Sequence, residues 1–204
     1  MEIIDCTQGS LEWFACRAGI PTASQFNKIV TTTGEISKSM RELALHLASQ
    51  VIVTELEEPF TSLAMERGIE LEHEAVEKYQ VQTLNPVEKV GFMVGNNYGY
   101  SPDGLIGDDG LLEIKCPLQK NHAKYLAAQK VPSDYKAQVQ GGLFVSDRDW
   151  CDFVSYNPTF VPEYQLLVVR EYRDEQYIRA LSKGIKKCID VRDEFLEKIK
   201  NKEK

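Results

Sequence analysis

The residues of this chain best suited to chemistry are carboxylates set near one lysine. Ser101-Pro102-Asp103-Gly104 is followed by Leu111-Leu112-Glu113-Ile114-Lys115. Residues two apart in a strand share a face, so Glu113 and Lys115 point together while Leu112 and Ile114 point into a core. Asp103 precedes them across a glycine-rich turn and can sit beside Glu113 on the neighbouring strand. Two carboxylates on adjacent strands make a hard-oxygen pocket suited to Mg²⁺. A lysine on the same face can orient a water that such an ion has activated. The same residues also fit a plain hairpin, with Asp103-Gly104 as its turn and Glu113 and Lys115 on a solvated face. Taken alone, the hairpin is the simpler reading.

Two other segments stand out. On a helical wheel of residues 64–79, Leu71, Ala64, Ala75, Gly68, Tyr79, Met65, Val76 and Ile69 share one arc. Glu72 falls in the middle of that arc, as its one polar residue. A carboxylate facing a core needs either a cationic partner or a metal, and the wheel leaves both open. The second segment is Tyr135-Lys136-Ala137-Gln138-Val139-Gln140-Gly141-Gly142. On a helix, Tyr135, Gln138, Gly142 and Val145 share a face. A Gly-Gly pair inside a helix costs about 1–2 kcal/mol relative to Ala-Ala, which implies close packing there, against the sheet or around a ligand.

These residues need elements to hold them. Residues 1–85 read as helical, over 10–16, 23–30, 38–57 and 62–82, with Thr31-Thr32-Thr33-Gly34 as a break and Glu57-Glu58-Pro59 as a stop. Strands are expected around 87–94, 98–101, 105–106 and 111–115. Helices at about 122–129 and 133–145, strands at 150–156 and 164–171, and a long helix from about Asp174 complete the chain. The expected fold is α/β, a mixed sheet flanked by helices. No repeat or linker interrupts it, so one domain over 1–204 is expected: a helical N-terminal region (residues 1–85), a sheet core (86–172) and a C-terminal helix (173–204).

The composition of 43% hydrophobic and 27% charged residues is that of an ordinary globular protein. No run approaches the ~18 apolar residues that span a membrane. Met1-Glu2-Ile3-Ile4-Asp5 lacks the features of a signal peptide, which points to the cytoplasm. The five cysteines, Cys6, Cys16, Cys116, Cys151 and Cys188, are widely spaced without a C-x-x-C pair, which disfavours structural zinc or an iron–sulfur cluster. His46, His73 and His122 show no ligand spacing and read as surface or packing residues. The balance of 24 Lys+Arg against 31 Asp+Glu, net -7, argues weakly against nucleic acid. An acidic metal site beside a local basic groove is still compatible with it.

Five blocks in order resemble the lambda exonuclease (YqaJ-like) family of viral recombinases, within the restriction-endonuclease-like nucleases. They are Arg17-Ala18-Gly19-Ile20-Pro21-Thr22-Ala23-Ser24, Gly68-Ile69-Glu70-Leu71-Glu72, Ser101-Pro102-Asp103-Gly104, Leu112-Glu113-Ile114-Lys115-Cys116-Pro117 and Ala137-Gln138-Val139-Gln140. The resemblance implies a restriction-endonuclease-like core and a Mg²⁺-dependent 5′-to-3′ exonuclease of duplex DNA. Such an enzyme releases 5′ mononucleotides and leaves a 3′ overhang. Asp103, Glu113, the Ile114 carbonyl and Glu72 would hold two Mg²⁺ ions, for which Mn²⁺ can substitute. Lys115 would orient the attacking water, and Gln138 would touch that water or the scissile phosphate. Arg17, Ser24 and Ser101 would take the 5′-terminal phosphate, a role that guanidinium and hydroxyl donors suit.

The resemblance further implies a homotrimeric ring, a phage single-strand annealing protein as partner, and action in the cytoplasm of a bacterial host by a phage- or prophage-encoded enzyme. Where the family has a basic residue after the Lys-Cys-Pro motif, this chain has Leu118-Gln119-Lys120-Asn121-His122, which offers Lys120 or nothing. Trp13 reads as a core residue or as a stacking surface for a base. An endonuclease of the same superfamily and a catalytically silent DNA-end clamp are the competing functions. Superfamily members built around a cysteine cluster lack their ligands here.

Overall fold

Apolar period and capping residues set the elements, which are seen in a computed structural model that describes residues 1–55 and 63–201, with backbone only for 63–65. In chain order they are β1 (Glu2–Ile4), α1 (Leu11–Arg17), a 3-10 helix (Ala23–Lys28), α2 (Met40–Ile52), α3 (Leu63–Thr83), β2 (Phe92–Val94), β3 (Gly99–Tyr100), β4 (Gly104–Ile106), β5 (Gly110–Lys115), α4 (Gln119–Ala128), α5 (Lys136–Ser146), β6 (Trp150–Tyr156), β7 (Leu166–Tyr172) and α6 (Glu175–Lys200). Two polar caps fix helix starts. Ser10 accepts from the Trp13 amide at 3.2 Å ahead of α1, and Asp174 accepts from the Tyr177 amide at 2.9 Å ahead of α6. The expected Glu57-Glu58-Pro59 stop, the helix start at 62 and residues 202–204 lie outside the described residues.

The larger sheet runs β4-β5-β6-β7. β5 and β6 are parallel, with Glu113 opposite Phe153 and Lys115 opposite Ser155, and the flanking pairs are antiparallel. A parallel pair needs a long crossover, here supplied by α4 and α5. Both faces of this sheet are covered. Leu111, Cys151 and Phe153 join a core with Phe26, Val139, Leu143 and residues of α2 and α6. Leu112, Ile114, Val154 and Tyr156 pack on Ala75, Val76 and Tyr79 of α3. The functional strand is thus buried from both sides.

Several expectations are corrected. The N-terminal region is not wholly helical, because Glu2–Ile4 pairs with β2 to form a second, three-stranded antiparallel sheet, β1-β2-β3. Segment 23–30 is a 3-10 helix over Ala23–Lys28, tightened by a reciprocal cap between Thr22 and Gln25. Of 87–94, only Phe92–Val94 is strand, and Glu88 makes an isolated bridge to Leu105. Ile69, placed by the wheel on the buried arc, is 69% exposed. The wheel assumes one face for the whole helix, but α3 meets the sheet only from about Leu71 onward. Among the described residues, no helix is long and apolar enough to cross a membrane.

Leu111→Ala is expected to cost about 2–5 kcal/mol, because it opens a cavity between sheet and helices, whereas Ile69→Ala should stay within about 0.5 kcal/mol. Urea unfolding of the two variants checks this directly.

Candidate active site

The β4–β5 pairing sets Gly104 opposite Leu112, which brings Asp103, just ahead of β4, beside the end of β5. The Ile114 amide donates to Asp103 Oδ2 at 2.6 Å. Glu113 is 1% exposed and accepts three hydrogen bonds. The Tyr100 hydroxyl donates to Oε2 at 2.9 Å, while Lys115 Nζ and Gln138 Nε2 both donate to Oε1. Lys115 lies 5.4 Å from the centre of the Tyr135 ring, within cation–π range. Glu113 and Lys115 therefore do share a face, as strand geometry requires, but on it Glu113 is buried and Lys115 only partly exposed. The solvated hairpin is thereby excluded.

The face expected on residues 135–145 is also present. Tyr135 lies beneath Lys115, Gln138 touches Glu113, and Gly142 lies where a Cβ would meet the Tyr100 ring at 2.8 Å. Gly141 is likewise closed by Phe26. The Gly-Gly pair allows the helix to approach the sheet closely enough for Gln138 to reach Glu113.

Burial, and then the negative charge of Glu113, hold the Asp103 carboxyl well above the usual carboxylate range, with Glu72 adding to the effect. Burial alone would lower Lys115, but Glu113 and Asp103 outweigh it and keep the ammonium above its ordinary value. Lys115 is thus a fixed cationic donor at neutral pH and not a base. Burial, then Glu113, also raises Tyr100, which stays a neutral phenol. Asp152, on the adjacent strand, offers a contrast. It is buried too, but Arg170 donates to both its oxygens at 2.8 Å and Tyr79 donates at 2.7 Å. That carboxylate is neutralised by structure, whereas the Asp103–Glu113 pair has one cation, Lys115, for two acids.

A divalent ion fits this pair. The donors are hard oxygens, and the mutual repulsion that raises Asp103 is what such a charge would relieve. Among the described residues, no three His, Cys, Asp or Glu side chains stand close enough to hold an ion together. Glu72 explains why. Its side chain is 33% exposed and pairs with Lys89 at 3.6 Å, so it stands at the rim of the site and not in the core where the wheel put it. For Ile114, the contact present is the amide to Asp103.

A second cluster adjoins the first. The Arg17 guanidinium donates to Ser101 Oγ at 3.0 Å, Thr22 Oγ1 at 3.3 Å and Ser24 Oγ at 3.5 Å. It lies 4.0 Å from the Trp13 ring centre, and Trp13 Nε1 donates to Ser101 Oγ at 2.8 Å. Burial lowers the Arg17 pKa to about 10, and no carboxylate pairs with it among the described residues. Gly19, at φ +74°, turns the chain from α1 toward Thr22. A half-buried guanidinium ringed by hydroxyls can receive an anion. Ser101 and Asp103 are two residues apart, so both clusters are held on one short rigid segment.

Sequence reasoning brought Arg17, Ser24, Ser101, Asp103, Glu113, Lys115 and Gln138 to these two clusters, and the fold does assemble them. It missed Tyr100 and Thr22 and gave Trp13 no role in the pocket. Tyr100 does adjoin the Ser-Pro-Asp-Gly motif, a position that could have drawn notice. Lys120 is exposed on α4, outside every contact of either cluster. His46 and His73 are exposed. His122 is a fully buried packing residue with Ser155 Oγ and the Tyr164 carbonyl each 2.8 Å from a ring nitrogen.

The family described as a YqaJ-like viral recombinase domain matches residues 12–149. No curated protein matches the chain. Among solved structures, the chain is similar to an alkaline exonuclease (LHK-Exo) from Laribacter hongkongensis, with 32% identity, a TM-score of 0.87 and coverage of 95% of this chain and 97% of that one. LHK-Exo in complex with dAMP matches at 32% identity and a TM-score of 0.85 over the same shares of both chains. A phage-related exonuclease from Haemophilus somnus 129PT, at 15% identity, shares the fold, with a TM-score of 0.71 over 88% of this chain and 96% of that one.

Because a half-buried charge without a counter-charge adds little to a fold, Arg17→Met is expected to leave the unliganded protein about as stable as the native chain. A thermal melt in phosphate-free buffer tests this. A drop of several degrees would mean that the guanidinium hydrogen bonds hold the fold and are not reserved for an anion.

Proposed function

From the premise that this chain belongs to the YqaJ-like viral recombinase family and is a deoxyribonuclease of the exonuclease kind, we propose that it digests duplex DNA from a 5′ end with Mg²⁺. The observation that carries this reading is the juxtaposition of an anion pocket with a buried acid–lysine centre on residues 101–103. An endonuclease has no need of a pocket for a terminal phosphate.

Asp103 and Glu113 would hold the metal, with the Ile114 carbonyl and, from the rim, Glu72 completing the set. Two ions there would make a water nucleophilic and neutralise the departing 3′ oxygen, and Mn²⁺ could replace them. Lys115, held as an ammonium beside Glu113, orients the attacking water and stabilises charge that develops on the phosphate. Gln138 stands on the same oxygen of Glu113 and contacts that water or the scissile phosphate. Arg17, Ser101 and Ser24 take the 5′-terminal phosphate, with Thr22 fixing the guanidinium and Trp13 backing it. Anchoring the end at a set distance from the metal pair fixes which bond is cut.

The products on this reading are 5′ mononucleotides and a 3′ single-strand overhang. The dAMP bound by the LHK-Exo relative, itself a mononucleotide, supports the product assignment. Contacts go to phosphates and not bases, so sequence preference is low and affinity falls with salt. We further propose one exonuclease domain, a ring-shaped homotrimer that keeps the enzyme on its strand, a phage single-strand annealing protein that receives the overhang, and action in the host cytoplasm.

Linear duplexes with a 5′ phosphate or a 5′ hydroxyl, and a closed circle, give the test. Native protein with Mg²⁺ should digest the phosphorylated linear duplex fastest and spare the circle, while chelation of the metal stops the reaction. Lys115→Ala should lower the single-turnover rate by about 10²–10⁴. Nicking of the circle would mean an endonuclease, and tight end binding without hydrolysis would mean a clamp.

A further inference from the structure

The three donors on Glu113 differ in where they stand. Lys115 and Gln138 both bond Oε1, are partly exposed, and have partners to gain in water and phosphate. Tyr100 bonds Oε2 from inside the core, at 1% exposure, and has nowhere else to go. Its backbone is registered on β2 opposite Met93, and its ring lies against α5 where Gly142 leaves room.

The chemistry of this donor matters. A phenol hydroxyl satisfies a buried carboxylate without cancelling its charge, which an arginine would do, as Arg170 does for Asp152. One oxygen stays tied from within the core. If Glu113 were held only by Lys115 and Gln138, each excursion of those groups toward substrate would free it to turn. Groups that orient a metal ligand from outside typically govern metal affinity by about 10–100-fold.

We propose that Tyr100 is the positioning residue of the metal site: its hydroxyl keeps Glu113 aimed beside Asp103 while Lys115 and Gln138 exchange to water and phosphate. This rests on the reading of Asp103 and Glu113 as the metal-holding pair. Gly142 belongs to the same device, since any side chain there displaces the Tyr100 ring.

The test is Tyr100→Phe, which removes one oxygen and keeps the ring. Mn²⁺ binding to the intact protein without DNA, followed by electron paramagnetic resonance, should weaken about tenfold or more. The Mg²⁺ concentration for half-maximal digestion should rise by a similar factor, and excess Mg²⁺ should recover most of the lost rate. Gly142→Ala, which retains the hydroxyl but moves it, should shift metal affinity the same way and decides the matter if Tyr100→Phe does not fold. Native Mn²⁺ affinity in folded Tyr100→Phe overturns the proposal, whatever happens to its melting temperature. A rate loss that excess metal does not recover also overturns it, by placing Tyr100 in another role. A native chain that binds no Mn²⁺ overturns the metal reading itself, and the inference falls with it.

Discussion

Glu113 is a carboxylate at 1% exposure in the middle of a sheet covered on both faces, and much of the local architecture serves to keep it there. A carboxyl group so deeply placed is costly unless its oxygens are engaged. Three elements supply the donors: β3 through Tyr100, β5 through Lys115 and α5 through Gln138. For α5 to come close enough, Gly141 and Gly142 must lack side chains, because Phe26 and Tyr100 fill the space. The helix gives up intrinsic stability at those two positions. It gains the approach that brings an amide to a buried acid.

The same constraint separates two kinds of buried charge in one sheet. Asp152 is matched by the bidentate guanidinium of Arg170, and its charge is neutralised within the fold. Asp103 and Glu113 have one lysine between them, and burial, then the charge of Glu113, holds Asp103 above the usual range. Nearby, Arg17 carries positive charge among hydroxyls. An acid pair with a single lysine and a guanidinium with no carboxylate partner among the described residues are joined by Ser101-Pro102-Asp103. This is how a chain of net charge -7 belongs to a family that acts on DNA: the relevant charges are local.

Strand pairing and chain reversal fix the distance between the two clusters. β4 and β5 set Asp103 against Ile114, and the β2–β3 pairing holds the segment that carries Ser101. Gln8 ties the loop ahead of α1 to the Pro102 carbonyl at 2.8 Å. Trp13 and Arg17 arrive from α1, one helical turn apart, and close over Ser101. The segment between pocket and acid pair is thus bonded from several sides.

Much of this was legible in the residues themselves. The two-residue period of Leu112-Glu113-Ile114-Lys115 determined that Glu113 and Lys115 share a face, and the glycine-rich turn determined that Asp103 could return to it. Helical spacing determined that Tyr135, Gln138 and Gly142 act together. Such statements depend on neighbours a few positions away, where chain geometry leaves little choice. Tertiary structure alone decided that Glu113 is buried, that Tyr100 reaches it from another strand, and that Trp13 meets Ser101 across 88 positions. It also moved Glu72 to a rim beside Lys89 and left Ile69 exposed, because α3 engages the sheet along only a portion of its length. Periodicity says which residues of an element face the same way; what they face is set by packing between elements, which no local pattern encodes.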